Sequence, residues 1–239
     1  PVDGPVTGVG AAWSLYAFTR IYNKDTSTLA EIAALNKDDI NGFDRWAAGM
    51  YDPDAAKTSD YLFYGSMPLP ILLLIDKNIR KDAPAVGFLY LESMAITGLL
   101  YTGSTFLTNR YRPESYTTEL PMAEKVDGGY RNSFFAGHVA LVATSTFFCA
   151  KVYSDYHPDS KLKYALWGGA IAATGATAYL RHKAGKHFPT DIIVGTAVGT
   201  LSGILVPHLH KRKPGSEQAW MLSPTIGNGY GLAFTYNIR

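Results

Sequence analysis

The sequence predicts an all-α protein: a multi-helix bundle of about six apolar core helices with a short β-like tail at the C-terminus. Three observations predict it. First, five apolar segments of roughly 15 to 22 residues follow one another between residues 61 and 209, each near the length that crosses a bilayer. A shorter apolar stretch, 6–22, precedes them. Second, the segments are rich in Gly, Ala, Ser and Thr, which let helices approach closely. Third, beyond residue 215 two apolar-aromatic stretches flank a Gly-Asn-Gly, the pattern of a β-hairpin. The organisation expected is a single helical domain over 1–214, with its core at 60–209, followed by the tail at 215–239.

In chain order, residues 6–22 form a helix or part of a span. The polar stretch 23–60 carries several Asp-based caps and reads as an irregular helical cap. The apolar segments are 61–75, 86–107, 134–153, 164–180 and 192–209. The connections alternate in character. Loops 76–85, 154–163 and 210–214 are short and contain Lys or Arg, whereas loops 108–133 and 181–190 hold the unusual polar residues. If the segments span a membrane, the two groups lie on opposite sides, and the positive-inside rule puts the first in the cytoplasm.

The totals bound the alternatives. A net charge of +2 gives no bulk basic signal for nucleic acid. Mean hydropathy of −0.03 is low for a multi-span membrane protein, but it averages over strong segregation. The only cysteine, Cys149, sits in an apolar run and forms no internal disulfide. The chain begins at Pro1 without a basic region and cleavage site, which reads as a processed or trimmed start.

Three clusters fall at segment ends on the same expected side. They are "TNRYRPES", with Arg110, Arg112 and Pro113; "RNSFFAGH", with Arg131, Gly137 and His138; and "RHKAGKHFPTD", with Arg181, His187 and Asp191. Guanidinium groups converging at one end of a bundle suit a tetrahedral oxyanion. Helices beginning near 135 and 188 point backbone N–H groups the same way. Two histidines supply a nucleophile and a proton donor. Asp191, four residues after His187, falls on the same helical face and suits the task of holding one ring nitrogen protonated. Taken alone, Arg110 and Lys183 read as solvated helix-end caps, and His157 and His182 as surface residues. His208 and His210 fall at the C-terminal end of the last helix, where cations are favoured.

These motifs resemble those of the type 2 phosphatidic acid phosphatase superfamily, which includes lipid phosphatases, bacterial acid phosphatases and vanadium haloperoxidases. Its signature reads Lys-x6-Arg-Pro, then Pro-Ser-Gly-His, then Ser-Arg-x5-His-x3-Asp. Arg112-Pro113, Gly137-His138 and the complete Arg181-x5-His187-x3-Asp191 match it. The resemblance covers about residues 60–209 and extends, more weakly, to a Bacteroidetes-type branch through "LNKDDINGFDR" and the tail. It implies the phosphatase/haloperoxidase type of helical bundle. It implies His187 as the nucleophile that forms a phosphohistidine, Asp191 as its orienting partner and His138 as general acid. Arg112 and Arg181 would clamp phosphate, with the segment Ala136–Gly137 contributing backbone N–H. No metal or other cofactor is implied, because the arginines supply the charge stabilisation. The sequence departs from the signature at Thr105, where the first lysine would stand, at Phe135 and Ala136 for Pro-Ser, and at Leu180 for the serine before Arg181. Lys186, Lys183 and Arg110 are the residues able to replace the missing donors.

The expected activity is hydrolysis of a phosphomonoester or diphosphate of a membrane lipid or isoprenoid, in a bacterial inner membrane with the site facing the periplasm. A soluble, broad-specificity periplasmic acid phosphatase is the alternative, favoured by the low mean hydropathy, Glu92 in an apolar segment and the polar stretch 23–60. A degenerate phosphate-binding protein and a haloperoxidase are lesser alternatives.

Overall fold

The computed structural model describes residues 3–211, 220–226 and 230–236. Its helices are α1 (Asp3–Tyr22), α2 (Leu29–Ala33), α3 (Pro53–Ser66), α4 (Leu69–Leu72), α5 (Lys77–Lys81), α6 (Ala83–Leu107), α7 (Met122–Lys125), α8 (Gly137–Tyr156), α9 (Leu162–Lys183) and α10 (Pro189–Leu209). Two strands, β1 (Trp220–Ile226) and β2 (Tyr230–Tyr236), pair antiparallel with Trp220 opposite Tyr236. That pairing agrees with the expected hairpin; its Gly-Asn-Gly turn lies outside the described residues.

Helix α8 is the axis of the bundle. It is buried without interruption from Val139 to Phe148, which a helix achieves only when apolar or small residues occupy its whole circumference. Helices α3, α4, α6, α9 and α10 pack around it, and α1 packs on the outside of α6. The tightest contact is with α10. Gly195, Gly199 and Gly203 recur every four residues and form one stripe, which meets Ala136, Ala140 and Thr144 of α8 at the same spacing. A Cβ at Gly199 would stand 2.0 Å from the Ala140 carbonyl, so only glycine allows this approach. The contact brings the first turns of α8 and α10 together, where the Ala136 N–H donates to the Asp191 carbonyl at 3.0 Å.

The expected apolar segment 61–75 is not one element. Helix α3 begins at Pro53 inside the polar stretch, capped by Asp52, whose carboxylate accepts from Ala55 N at 2.8 Å. It ends at Ser66 because Pro68 and Pro70 follow closely, each lacking an N–H and restricting the residue before it. Short α4 and a 3-10 turn, 73–75, complete the segment. The rest of 23–60 is the expected irregular cap. A Thr28–Glu31 capping box starts α2, and two 3-10 turns carry Ile40, Ala47 and Ala48 onto Phe188 at the head of α10.

Much of the outside is apolar. Leu15 on α1, Leu91 on α6, Ile171 on α9 and Leu201 on α10 are all exposed. By length and composition, α6 and α10 are each able to cross a membrane.

A candidate active site where α8, α9 and α10 meet

The loop between α9 and α10 turns back toward the bundle at Gly185. Its φ is +70°, and a Cβ there would stand 1.8 Å from the Met50 carbonyl, so a glycine is required. The Gly185 carbonyl accepts from Glu114 N at 2.9 Å, which ties this loop to the segment bearing Arg112. His187 follows and is buried at 2 % exposure. Its Nδ1 lies 2.7 Å from the Ser133 carbonyl. A carbonyl only accepts, so in the neutral ring Nδ1 carries the hydrogen and Nε2 keeps a lone pair. Burial, then Arg181 and Arg112, hold the His187 pKa well below the usual 6.5.

Around His187 the charges form two groups. Arg112 Nη1 lies 3.6 Å from Glu114 Oε1, while Lys186 Nζ donates to both oxygens of Glu114 at 2.8 and 2.7 Å. Arg181 Nη1 lies 3.5 Å from Asp60 Oδ1, and His138 Nε2 lies 3.3 Å from the same oxygen. Arg181 also donates to Ser59 Oγ at 3.3 Å. The Nε atoms of both arginines are buried without a hydrogen-bond partner. His138 stands against the Phe63 ring at 4.4 Å, and burial, then Arg181, Arg112 and Lys186, disfavour its charged form. Gly137, His138 and Val139 precede the first intrahelical bond of α8, donated by Ala140 N to Ala136 O, so their N–H groups belong to the open helix end. Gly137 is a glycine because a Cβ would meet the Tyr101 ring at 2.7 Å.

A second assembly braces this one. Asp191 is buried at 0 % exposure. Its oxygens accept from Arg110, from Ser133 Oγ at 2.6 Å and from Phe188 N at 2.8 Å. Arg110 also donates to the buried Asp44 at 2.6 Å and lies 4.4 Å from the centre of the Phe188 ring. Asp44 in turn accepts from Thr190 N at 3.0 Å and Thr190 Oγ1 at 2.5 Å, which caps α10.

Several sequence expectations are therefore revised. Asp191 does not orient His187 directly: its oxygens are taken up elsewhere, and the link runs through Ser133. Arg110 is neither a solvated cap nor a ligand-facing donor, because two buried carboxylates engage it. The Ala136 N–H is committed to Asp191 and its Cβ stands near Gly195, so it serves helix pairing. The Thr105 hydroxyl is fully buried and donates to the Tyr101 and Phe134 carbonyls at 2.8 and 3.2 Å. Lys183 pairs with Asp52 at 2.9 Å on the surface, outside the cluster. Arg131 donates to the Asp25 carbonyl rather than joining the site. His182 is half-buried against Trp46 and is not a surface residue. Of the residues able to replace the missing donors, Lys186 is the one the structure places among Arg112, Arg181 and His138.

Sequence reasoning missed Asp60, Glu114, Ser133 and Asp44. Glu114 and Ser133 stand inside the motif clusters, beside Arg112-Pro113 and before Phe134. Asp60 and Asp44 come from the N-terminal cap and carry no local signal. Comparison with protein families matches residues 86–214 to the PAP2 superfamily, over half of the chain, from the first turn of α6 through the end of α10. No curated protein and no solved structure matches the chain.

Proposed function

The chain belongs to the PAP2 superfamily, which includes phosphatases, and from that premise we propose a phosphatase that acts on a phosphorylated membrane lipid or isoprenoid through a phosphohistidine on His187. The observation that carries the reading is the His187 Nδ1–Ser133 carbonyl hydrogen bond, which leaves Nε2 with its lone pair in a neutral ring that burial, then Arg181 and Arg112, keep uncharged.

In the first step His187 Nε2 attacks phosphorus and the phosphorus–oxygen bond to the lipid alcohol breaks. The phosphate anion offsets the cations around His138, which then carries a proton and gives it to that oxygen. Arg112, Arg181 and the Gly137 N–H stabilise the phosphoryl oxygens, with Lys186 in the place of the lysine missing at Thr105. In the second step water attacks the phosphoryl group, His138 takes its proton, the nitrogen–phosphorus bond breaks and inorganic phosphate leaves. Asp191 acts as a positioning residue through Ser133, and Asp60 stands against both His138 and Arg181.

The lipid substrate is supported by the apolar exterior and by α6 and α10, whose ends lead into the site. In this reading the connections rich in Lys and Arg, 76–85 and 210–214, lie in the cytoplasm of a bacterial cell. The site then opens at the periplasmic face of the inner membrane.

The test is release of inorganic phosphate by the detergent-purified protein from phosphatidic acid, phosphatidylglycerol phosphate, undecaprenyl diphosphate and a soluble aryl phosphate. The expected result is lipid hydrolysis that falls by about 10⁴-fold or more in His187→Ala, the scale of losing a nucleophile. Hydrolysis of the aryl phosphate alone would identify a soluble-type acid phosphatase. Absence of turnover on every substrate defeats the reading.

A further inference from the structure

A cavity of about 840 Å³ lies apart from the cation cluster but on the same helices. Its walls include Leu72 and Leu73, Thr146 and Cys149 on α8, and Gly169 and Ala173 on α9. That volume is typical of small-molecule sites, which hold roughly 300–1,000 Å³. Leu72 and Ile75 on the wall are exposed, and Ile71 and Ile171 next to lining residues in the chain are exposed as well, so the cavity joins the apolar exterior.

Its position relates it to the site. The lining residues nearest the cluster are Thr146 and Ala173. Each is eight residues from the site residue of its own helix, His138 and Arg181 respectively. At 1.5 Å per residue both separations are about 12 Å, and the two helices are antiparallel neighbours, so both are measured from the same end of the bundle. From Ala173 the cavity follows α9 down to Leu162, a further distance of about 17 Å at the same rise. The lining is almost wholly aliphatic and aromatic; Asp76 and Lys77 mark only the far end. Small residues of α9 create the space, and nothing stands within 4 Å of the place where a Cβ on Gly169 would lie. A ligand matching both features has an anion at one end and a long hydrocarbon chain running parallel to the helices.

We propose that this groove between α4, α8 and α9 holds the hydrocarbon chain of the lipid whose phosphate binds at Arg112 and Arg181. The proposal rests on the phosphatase reading and adds chain-length selectivity to it. A short-chain phosphate reaches no further than the mouth of the groove while its phosphate occupies the cluster.

Gly169→Phe tests the proposal, since it fills the groove from a position with free space. The full chain in one detergent would be assayed on dioleoyl- and dihexanoyl-phosphatidic acid. The expected result is a fall in kcat/KM of about tenfold on the dioleoyl substrate, the scale of exposing a few methylenes, with the dihexanoyl substrate unchanged. Ala173→Phe, one turn along α9, should give the same split, which guards against a folding defect peculiar to one variant. Equal loss on both substrates in both variants, or no loss on either, overturns the proposal. Equilibrium binding of dioleoyl-phosphatidic acid to His187→Ala, with and without Gly169→Phe, separates the two readings. Chain-length-dependent binding that Gly169→Phe weakens, together with no turnover by the protein that retains His187, keeps the groove and sinks the phosphatase. Turnover with chain-independent binding does the reverse.

Discussion

Arg110 and Arg112 lie two residues apart in one loop, yet they belong to different kinds of region. Around Arg110 every charged group has a partner: Asp44 and Asp191, both fully buried, engage the guanidinium, and Phe188 lies against its face. Around Arg112 matching fails. Its nearest carboxylate, Glu114, already binds Lys186 through both oxygens, and the Arg112 Nε has no partner. Arg181 repeats the pattern, sharing Asp60 with His138 and leaving its own Nε unpaired. Buried donors are normally satisfied, so a deficit in one region beside complete satisfaction in the next marks where an anion belongs. A motif match alone does not separate the two arginines; their partners do.

If that contrast is right, the two regions fail differently. The largest effect on the fold should come from Arg110→Ala. It leaves two carboxylates buried and unpaired, and it should cost about 3–5 kcal/mol of stability, read from denaturant midpoints with unchanged slope. A stable Arg110→Ala protein with selectively lost activity would erase the distinction. Next comes Arg112→Ala, which should reduce kcat/KM by about 10²–10³-fold, the scale of removing one donor to a developing oxyanion, with little change in the midpoint. The smallest effect is a displacement along the pH axis. The depressed His187 pKa keeps the ring neutral as pH falls, so the acid limb of kcat/KM should lie below 6.5. Burial, then Arg112 and Arg181 against the opposing pull of Glu114, lower Lys186 from 10.5, so its charge is lost early on the alkaline side. His138 has to be protonated in the first step and loses its proton at lower pH than a lysine does, so His138 sets the alkaline limb: Lys186→Arg and Lys183→Arg should both leave that limb in place, checked by pH–rate profiles.

The same contrast explains what the sequence revealed. The third motif was legible because Arg181, His187 and Asp191 fall within one short stretch whose spacing is specific. The bundle was legible because Gly, Ala and Thr recur through long apolar runs, although Pro68 and Pro70 divide the run at 61–75. The partners were not legible. Glu114 is a counter-ion only because Gly185 turns Lys186 onto it, and Asp60 matters only because α3 lies against α8 and α9. Ser133 holds His187 through a backbone carbonyl, which every residue possesses and no side-chain pattern reports. Asp191 was recognised, but its immediate partners were not, since Arg110 and Ser133 reach it from a separate segment.

The glycine stripe of α10 carries a last consequence. The loop bearing His187 does not by itself determine how far that ring stands from His138; the seam between α8 and α10 acts as a gauge for the pair. Gly203 lies twelve residues beyond Asp191, about 18 Å along the axis, and still meets the Thr144 carbonyl at what would be 2.6 Å from a Cβ. One methyl group at that remote point would pry the helices apart like a wedge, and the opening would be felt at the far end as misregistration of nucleophile and acid. Residues that never approach phosphate thus share control of its chemistry, and selection on catalysis reaches down the whole length of the seam.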